Sequence, residues 1–218
     1  MALKTLGATS DERALRALLS GVRQLQRIEH PHLACVRDAH LNVELQADVI
    51  ANLIVYEFID GPNLHAEMRR VPWPVECTVG ILRQLLAGLS ALHSADLVHG
   101  SLHPKAAIWR AREAAEPLVV LVGGGLGPVL MHHPTHYTAP EQSRGEPPST
   151  RSDIFSCGAM AFEMLTAQRP WLTGTLREST RGVPARLVQL LETWVSADPT
   201  ARPSDARAAL AVLDTWSS

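Results

Sequence analysis

The order of patterns along this chain predicts an α+β fold of two unequal parts, a small α/β lobe followed by a larger, mainly helical one. Three observations carry that expectation. A helical apolar repeat opens the chain, a β-branched and aromatic run follows it, and helical periodicity dominates after an Asp-Gly-Pro-Asn break. With 218 residues and 46% hydrophobic content, the chain can bury a sizeable core.

From Ser10-Asp11 onward, Leu15, Leu18, Leu19, Val22, Leu25 and Ile28 recur at helical spacing and give one apolar face. Gly21 lies inside that helix at a cost of about 1 kcal/mol relative to Ala. His30-Pro31 is expected to end it, because a residue before proline is pushed out of the helical region. The run from Val49 to Ile59 reads as a strand, and Asp60-Gly61-Pro62-Asn63 as a turn. The boundaries expected are therefore 1–59 for the small lobe, 60–63 for the connector and 64–218 for the large lobe. After Pro74, Leu82, Leu85, Leu86, Leu89 and Leu92 line a helix, and Leu118 to Val122 is a short buried strand. Ile154 to Leu165 is apolar nearly all round, the mark of a buried central helix. Two more helices are read over Pro184 to Val195 and Ser204 to Leu213, the last with Ser204 as N-cap.

Charge excludes some functions early. Twenty basic residues against 22 acidic give a net charge of −2, so a nucleic-acid partner is not expected. Aromatic residues, at 5%, are too sparse for a base-stacking surface. Cys35, Cys77 and Cys157 form neither a disulfide framework nor a CxxC pair, which suits a reducing compartment. No long apolar core precedes Asp11 and Glu12, and glycines interrupt the stretch from Leu118 to Met131. A cytoplasmic chain without a membrane span is expected.

Six local signatures then occur in one order. Ala2-Leu3-Lys4 is similar to the end of a Val-Ala-Ile-Lys strand. Val55-Tyr56-Glu57-Phe58 before Asp60-Gly61 resembles a hinge with Tyr56 at the gatekeeper position. His99-Gly100-Ser101-Leu102-His103-Pro104-Lys105-Ala106 falls on the H-R-D-L-x-x-x-N loop, and Ala139-Pro140-Glu141 on A-P-E. Arg151 to Gly158 and Asp198 to Arg202 resemble the start of a buried central helix and a closing Arg motif. Across nearly the whole chain, the sequence resembles the protein kinase fold, closest to bacterial Hanks-type Ser/Thr kinases. The resemblance implies a bilobal fold with a truncated N-lobe, a small antiparallel sheet plus one helix, and a mainly helical C-lobe.

The chemistry of that family is missing at its own positions. Phosphoryl transfer needs a glycine-rich phosphate cover, a Lys–Glu pair, metal-binding residues and an Asp that accepts the hydroxyl proton. The chain opens at the Lys strand, so the glycine-rich loop is absent from it. Aligned on His30-Pro31, the helix Glu position falls on Gly21, with Glu12 or Glu29 as alternatives in a shifted register. The Asp position is Ser101, the Asn position Ala106, and the metal-binding Asp and packing Phe of Asp-Phe-Gly are Gly123 and Gly124. A serine hydroxyl is a far weaker base than a carboxylate, and Ala and Gly side chains cannot ligate magnesium. Of the polar set only Lys4 survives, as a vestigial nucleotide contact.

By the resemblance, Glu141 should pair with Arg202, Asp153 should cap the catalytic-loop backbone, and His99 should pack beside it. Gly123-Gly124-Gly125 reads as a flexible segment, and loss of the Phe at Gly124 as loss of a link between lobes. His132, His133 and His136 lack zinc-signature spacing, so no metal site is expected. The implied function is a pseudokinase, a protein-binding scaffold or an allosteric regulator in signalling. Its partner would be an active kinase or another signalling protein, with homodimerisation open, and neither ATP nor magnesium is expected as cofactor. The alternative is a residual nucleotide binder or unorthodox phosphotransferase using Lys4 and the Ser101–Lys105 loop. A sheet edge and apolar surface are expected to lie exposed in the small lobe.

Overall fold

A computed structural model of the chain describes residues 1–7, 11–46, 49–68, 71–110, 117–125, 135–170, 180 and 182–216. Strands β1 (Ala2–Gly7), β2 (Val36–Gln46) and β3 (Val49–Tyr56) form an antiparallel sheet in the order β1-β3-β2, with helix α1 (Glu12–Leu25) packed against it. The register Ala2↔Tyr56 through Gly7↔Ala51 holds β1 flush along β3 without a bulge. β2 instead carries three register shifts against β3.

Asp11 caps α1 by accepting the Arg13 N–H at 2.9 Å, and the helix buries Leu18, Val22 and Leu25. It ends at Leu25, five residues before the His30-Pro31 stop. Gln26 keeps helical backbone angles and its N–H bonds to Val22, but the Arg27 and Ile28 N–H groups bond three residues back, to Gln24 and Leu25, in a tight closing turn. The Gln26 side chain donates to the Arg37 carbonyl at 3.1 Å, and Ile28 packs on the core from outside the helix. β2 had no clear sequence signal, because most of Val36–Gln46 is exposed edge with polar residues. β3 is three residues shorter than its apolar run. Glu57 turns out of the sheet, its N–H donating to the Cys35 carbonyl and its carboxylate accepting the Cys35 N–H, both at 2.9 Å. Gly61 follows with φ +143°, and a Cβ there would collide with the Trp109 carbonyl oxygen.

The large lobe comprises α2 (Leu64–Glu67), α3 (Val75–His93), β4 (Ala107–Arg110), β5 (Leu118–Leu121), α4 (Pro140–Ser143), α5 (Thr150–Thr166), α6 (Ala185–Trp194) and α7 (Ala206–Trp216). β4 and β5 form an antiparallel pair. A capping box between Ser149 and Ser152 starts α5, which is buried along nearly its whole length. α3 is long and apolar enough to cross a membrane, with mean hydropathy 1.3, yet its Leu82, Leu85, Leu86 and Leu89 are fully buried in the core. The last helix starts later than its sequence pattern suggests. Asp205, not Ser204, caps it by accepting the Ala208 N–H at 2.8 Å, and Ser204 donates to the Asp205 carboxylate. Asp205 wins because its carboxylate reaches the first-turn amide directly, which also holds its pKa down.

The two lobes are laced together at residues 32–34. The Leu121 N–H donates to the His32 carbonyl at 2.9 Å, and the Ala34 N–H to the Leu121 carbonyl at 2.8 Å. His32 Nδ1 donates to the Val119 carbonyl at 2.9 Å. Gly88 of α3 permits this approach, since a Cβ there would lie 2.7 Å from the His32 oxygen.

Candidate functional site

A cleft of about 740 Å³ separates the lobes, bounded by β1, the connector from Tyr56 to Pro62, the Pro104–Ala106 turn and Val122-Gly123. The alternation of β1 turns Lys4 into this cleft and leaves Thr5 outside, while the exposed Leu3 lies at the cleft's mouth. Lys4 Nζ donates to the Gly123 carbonyl at 3.1 Å, and burial lowers its pKa. No carboxylate pairs with it among the described residues. Gly21 sits mid-helix in α1, Glu29 is exposed beyond it, and Glu12 pairs instead with Arg16 at 2.6 Å on the exposed helix face.

Asp153, from the first turn of α5, organises the loop below. Its carboxylate accepts the His99 N–H and the Gly100 N–H, both at 2.8 Å, and faces His93 Nε2 at 3.0 Å. His93 Nδ1 accepts the Ala206 N–H at 3.1 Å, so the proton of the neutral ring is on Nε2 and is donated to Asp153. Gly100 has φ +75°, a left-handed position where glycine is free of strain. Its carbonyl accepts from the Gln142 side chain at 2.8 Å, which joins the loop to α4. Ser101 is half-buried beside it, and Ala106 is buried at the end of the turn, its carbonyl accepting the Val122 N–H at 2.9 Å.

His99 is buried, with neither ring nitrogen hydrogen-bonded among the described residues. Burial drives its pKa down to about 4, against opposing pulls from the Asp153 charge and the Val122 backbone, and the Lys4 and His103 charges add to the lowering. The three glycines are packed rather than loose. Gly123 and Gly125 both have φ +80°, and the Gly125 N–H donates to the Val98 carbonyl at 3.0 Å. A Cβ on Gly124 would lie 2.8 Å from His99 Cδ2, and one on Gly125 would lie 2.5 Å from Leu25 Cδ2. Leu25 of α1 thus enters the space that larger side chains would need. The lobes keep a link there that the glycine at 124 was expected to remove.

Farther down, Arg202 makes a bidentate pair with Glu141, Nη1 to Oε1 at 2.7 Å and Nη2 to Oε2 at 2.9 Å. Its Nε donates to the Ser196 carbonyl at 2.9 Å, Nη1 to the Arg151 carbonyl at 3.1 Å, and the guanidinium stacks over Phe155 at 4.9 Å. Burial pushes the Glu141 pKa up, but the hydrogen bonds and charge of Arg202 outweigh it and hold the carboxyl below its ordinary value. Tyr137 donates to Glu163 of α5, and both burial and that carboxylate raise its pKa. His132 and His133 lie outside the described residues, and no cluster of metal-ligating side chains occurs among the described ones.

His93, Gln142 and Leu25 are functional neighbours that sequence reasoning missed. The only signal for His93 was its place in the last turn of α3. Leu25 read as one more apolar position of α1, with nothing to say that it reaches the glycine triplet.

No protein-family model matches the chain. Among curated proteins, the chain is 28% identical over 246 aligned positions to the Ser/Thr kinase pkn3 of Myxococcus xanthus, covering 97% of this chain and 44% of that protein. It is 27% identical over 213 positions to the Ser/Thr kinase PkaA of Streptomyces coelicolor, covering 83% and 36%. It is 29% identical over 186 positions to PknL of Mycobacterium bovis, covering 78% and 44%. The chain thus spans less than half the length of these relatives. Among solved structures, the kinase domain of Mycobacterium tuberculosis PknI matches 98% of this chain and 84% of its own with a TM-score of 0.76 at 20% identity. Rad53 in complex with AMP-PNP matches 95% and 56% with a TM-score of 0.71 at 21% identity. The chain is a protein-kinase-like domain, related in sequence to bacterial Ser/Thr kinases.

Proposed function

We propose that this domain is a pseudokinase, a non-catalytic module that works in signalling by binding another protein as a scaffold or allosteric regulator. One observation carries the reading. The architectural contacts of Asp153, Glu141 and Arg202 are complete, while Ser101, Ala106 and Gly123 bring no carboxylate or carboxamide to the cleft. Transfer from a nucleotide needs a proton acceptor and a charge-neutralising metal site, and those three side chains supply neither. A cytoplasmic location and a kinase or other signalling protein as partner belong to the same proposal.

The surface offered to such a partner is the outer edge of β1, which pairs with no other strand among the described residues. β2, at the other edge of the sheet, is protected by register shifts and by Arg37, Asp38, His40 and Glu44. β1 has no bulge, its one charge is turned into the cleft, and Leu3 and the connector residue Phe58, where this edge meets the mouth of the cleft, are each 65% exposed. The test is affinity capture with the wild-type chain and with Leu3→Glu, a substitution at an exposed position. A partner recovered by the wild type and lost by the variant supports the proposal, and unchanged recovery contradicts it. Recovery of only a second copy of the chain assigns the edge to homodimerisation. The competing reading, a phosphotransferase built on Lys4 and the Ser101–Lys105 loop, requires transfer that disappears in Lys4→Met.

A further inference from the structure

We propose that the outward face of α1 is a docking surface for an acidic helix of a partner protein, one with carboxylates spaced three and four residues apart. Arg13, Arg16 and Arg23 recur along α1 with Ser20 between the last two, and all four positions are exposed. At 3.6 residues per turn they fall within about 80° around the axis, in a row about 15 Å long. That row lies on the side opposite the buried Leu18, Val22 and Leu25. Arg27, the next residue of the series, is exposed in the closing turn.

The fold does not use these charges itself. Arg16 pairs with Glu12 across one exposed turn, but Arg13, Arg23 and Arg27 have no ion-pair partner among the described residues. The carboxylates of Asp11 and Glu12 serve only the first turn. Arg13 stands at the second helical position, near the positive end of the helix dipole, where a cation is unfavourable. Arg13 and Arg16, three residues apart, also repel each other. A chain of net charge −2 thus concentrates cations on a helix whose own electrostatics they oppose, and an external anion relieves both costs.

The shape of the face selects a helix as that anion. Beside the arginine row, Ala17 and Ser20 are exposed and Gly21 is half-buried, a track of small residues. Gly21 weakens α1 relative to alanine, and it follows Ala17 by one turn, which lets a second helix approach closely. Carboxylates on such a helix recur at the same intervals as the arginines, and the planar Arg fork takes a carboxylate at two points. A broad anionic surface fits less well. The apolar face of α1 is buried and has nothing to insert into lipid, and β2, packed beside α1, exposes Asp38 and Glu44.

The surface is separate from the β1 edge and from the cleft, so it stands or falls apart from both. The probe is a labelled synthetic helix with Glu at alternating three- and four-residue intervals, titrated into the full chain and followed by fluorescence anisotropy. Saturable binding is expected, weakening as salt rises from about 50 to 300 mM. Arg16→Glu/Arg23→Glu, at exposed positions that folding does not need, should weaken it about tenfold or more. The same peptide with Lys for Glu should do the reverse, binding the double variant and not the wild type. Ala17→Gln adds bulk without charge and should weaken the acidic peptide severalfold, whereas Leu3→Glu, which tests the β1 edge, should leave it unchanged. Thermal unfolding of each variant confirms that it is folded. Absence of binding, equal binding of a scrambled peptide of the same composition, or indifference to the Arg16 and Arg23 substitutions would overturn the proposal. Tighter capture of the wild type by phosphatidylserine vesicles than by the peptide would also overturn it, in favour of a membrane.

Discussion

Leu25 Cδ2 occupies the place where a side chain at residue 125 would begin, since a Cβ on Gly125 would lie 2.5 Å from it. This contact joins α1 of the small lobe to the segment after β5, and it depends on the glycine twice. The position needs φ +80°, and it needs room for an isobutyl group. Leu25→Ala should cost about 2–5 kcal/mol through the cavity it leaves. Gly125→Ala should cost about 1–3 kcal/mol through backbone strain and overpacking. In the double variant the steric part of the second cost disappears, so the two losses should sum to more than the loss measured together. Urea denaturation of the three variants checks this. Strict additivity would show that Leu25 and Gly125 do not share the space.

Arg202 and Glu141 are a buried pair whose hydrogen-bonding capacity is nearly used up, by each other and by the Ser196 and Arg151 carbonyls. Removing one partner strands the other charge. Arg202→Ala should destabilise by about 3–5 kcal/mol, while replacing both with apolar residues of similar volume should cost far less. Equilibrium unfolding of Arg202→Ala and of the double variant Glu141→Leu/Arg202→Met measures the difference. A loss below about 1 kcal/mol in the single variant, the range of an exposed pair, would contradict the burial described above.

His99 predicts an acid limb of stability. Its folded pKa of about 4 lies below the ordinary histidine value near 6.5, so the native state binds fewer protons than the unfolded chain between those pH values. Stability from this group is complete above pH ~6.5 and falls as pH drops toward 4, by about 3 kcal/mol in total. Glu141, held below its ordinary value, adds a second loss only at lower pH, as it protonates. His99→Leu should flatten the limb between pH 6.5 and 4 in a denaturation series. An equally steep limb in that variant would assign the proton uptake elsewhere.

Much of the architecture was legible because it follows from local patterns. The apolar stripe of α1, the Leu repeat of α3 and the all-round apolar α5 each stated their burial in one dimension. β2 was not legible, because an exposed edge strand with three register shifts has no clean period-2 signal. The end of α1 was misplaced because the chain closes the helix early with a tight turn, the Arg27 and Ile28 N–H groups bonding to Gln24 and Leu25, which a local proline rule does not register. In the cleft, the sequence showed which groups are missing from their usual positions, a matter of residue type alone. It could not show what fills the space. That Leu25 packs into the glycine triplet, that Lys4 settles on the Gly123 carbonyl and that His93 completes the Asp153 network all depend on long-range placement.

The most direct test of the account is transfer of label from γ-labelled ATP, with magnesium and separately with manganese, to the chain itself and to a generic Ser/Thr substrate. No incorporation above the level of a Lys4→Met control is expected in either metal, since the side chains of Ser101, Ala106 and Gly123 provide no carboxylate to accept the proton or ligate the metal. Metal-dependent incorporation by the wild-type chain, abolished in Lys4→Met, would show that the cleft performs phosphoryl transfer by another route and would contradict the pseudokinase reading.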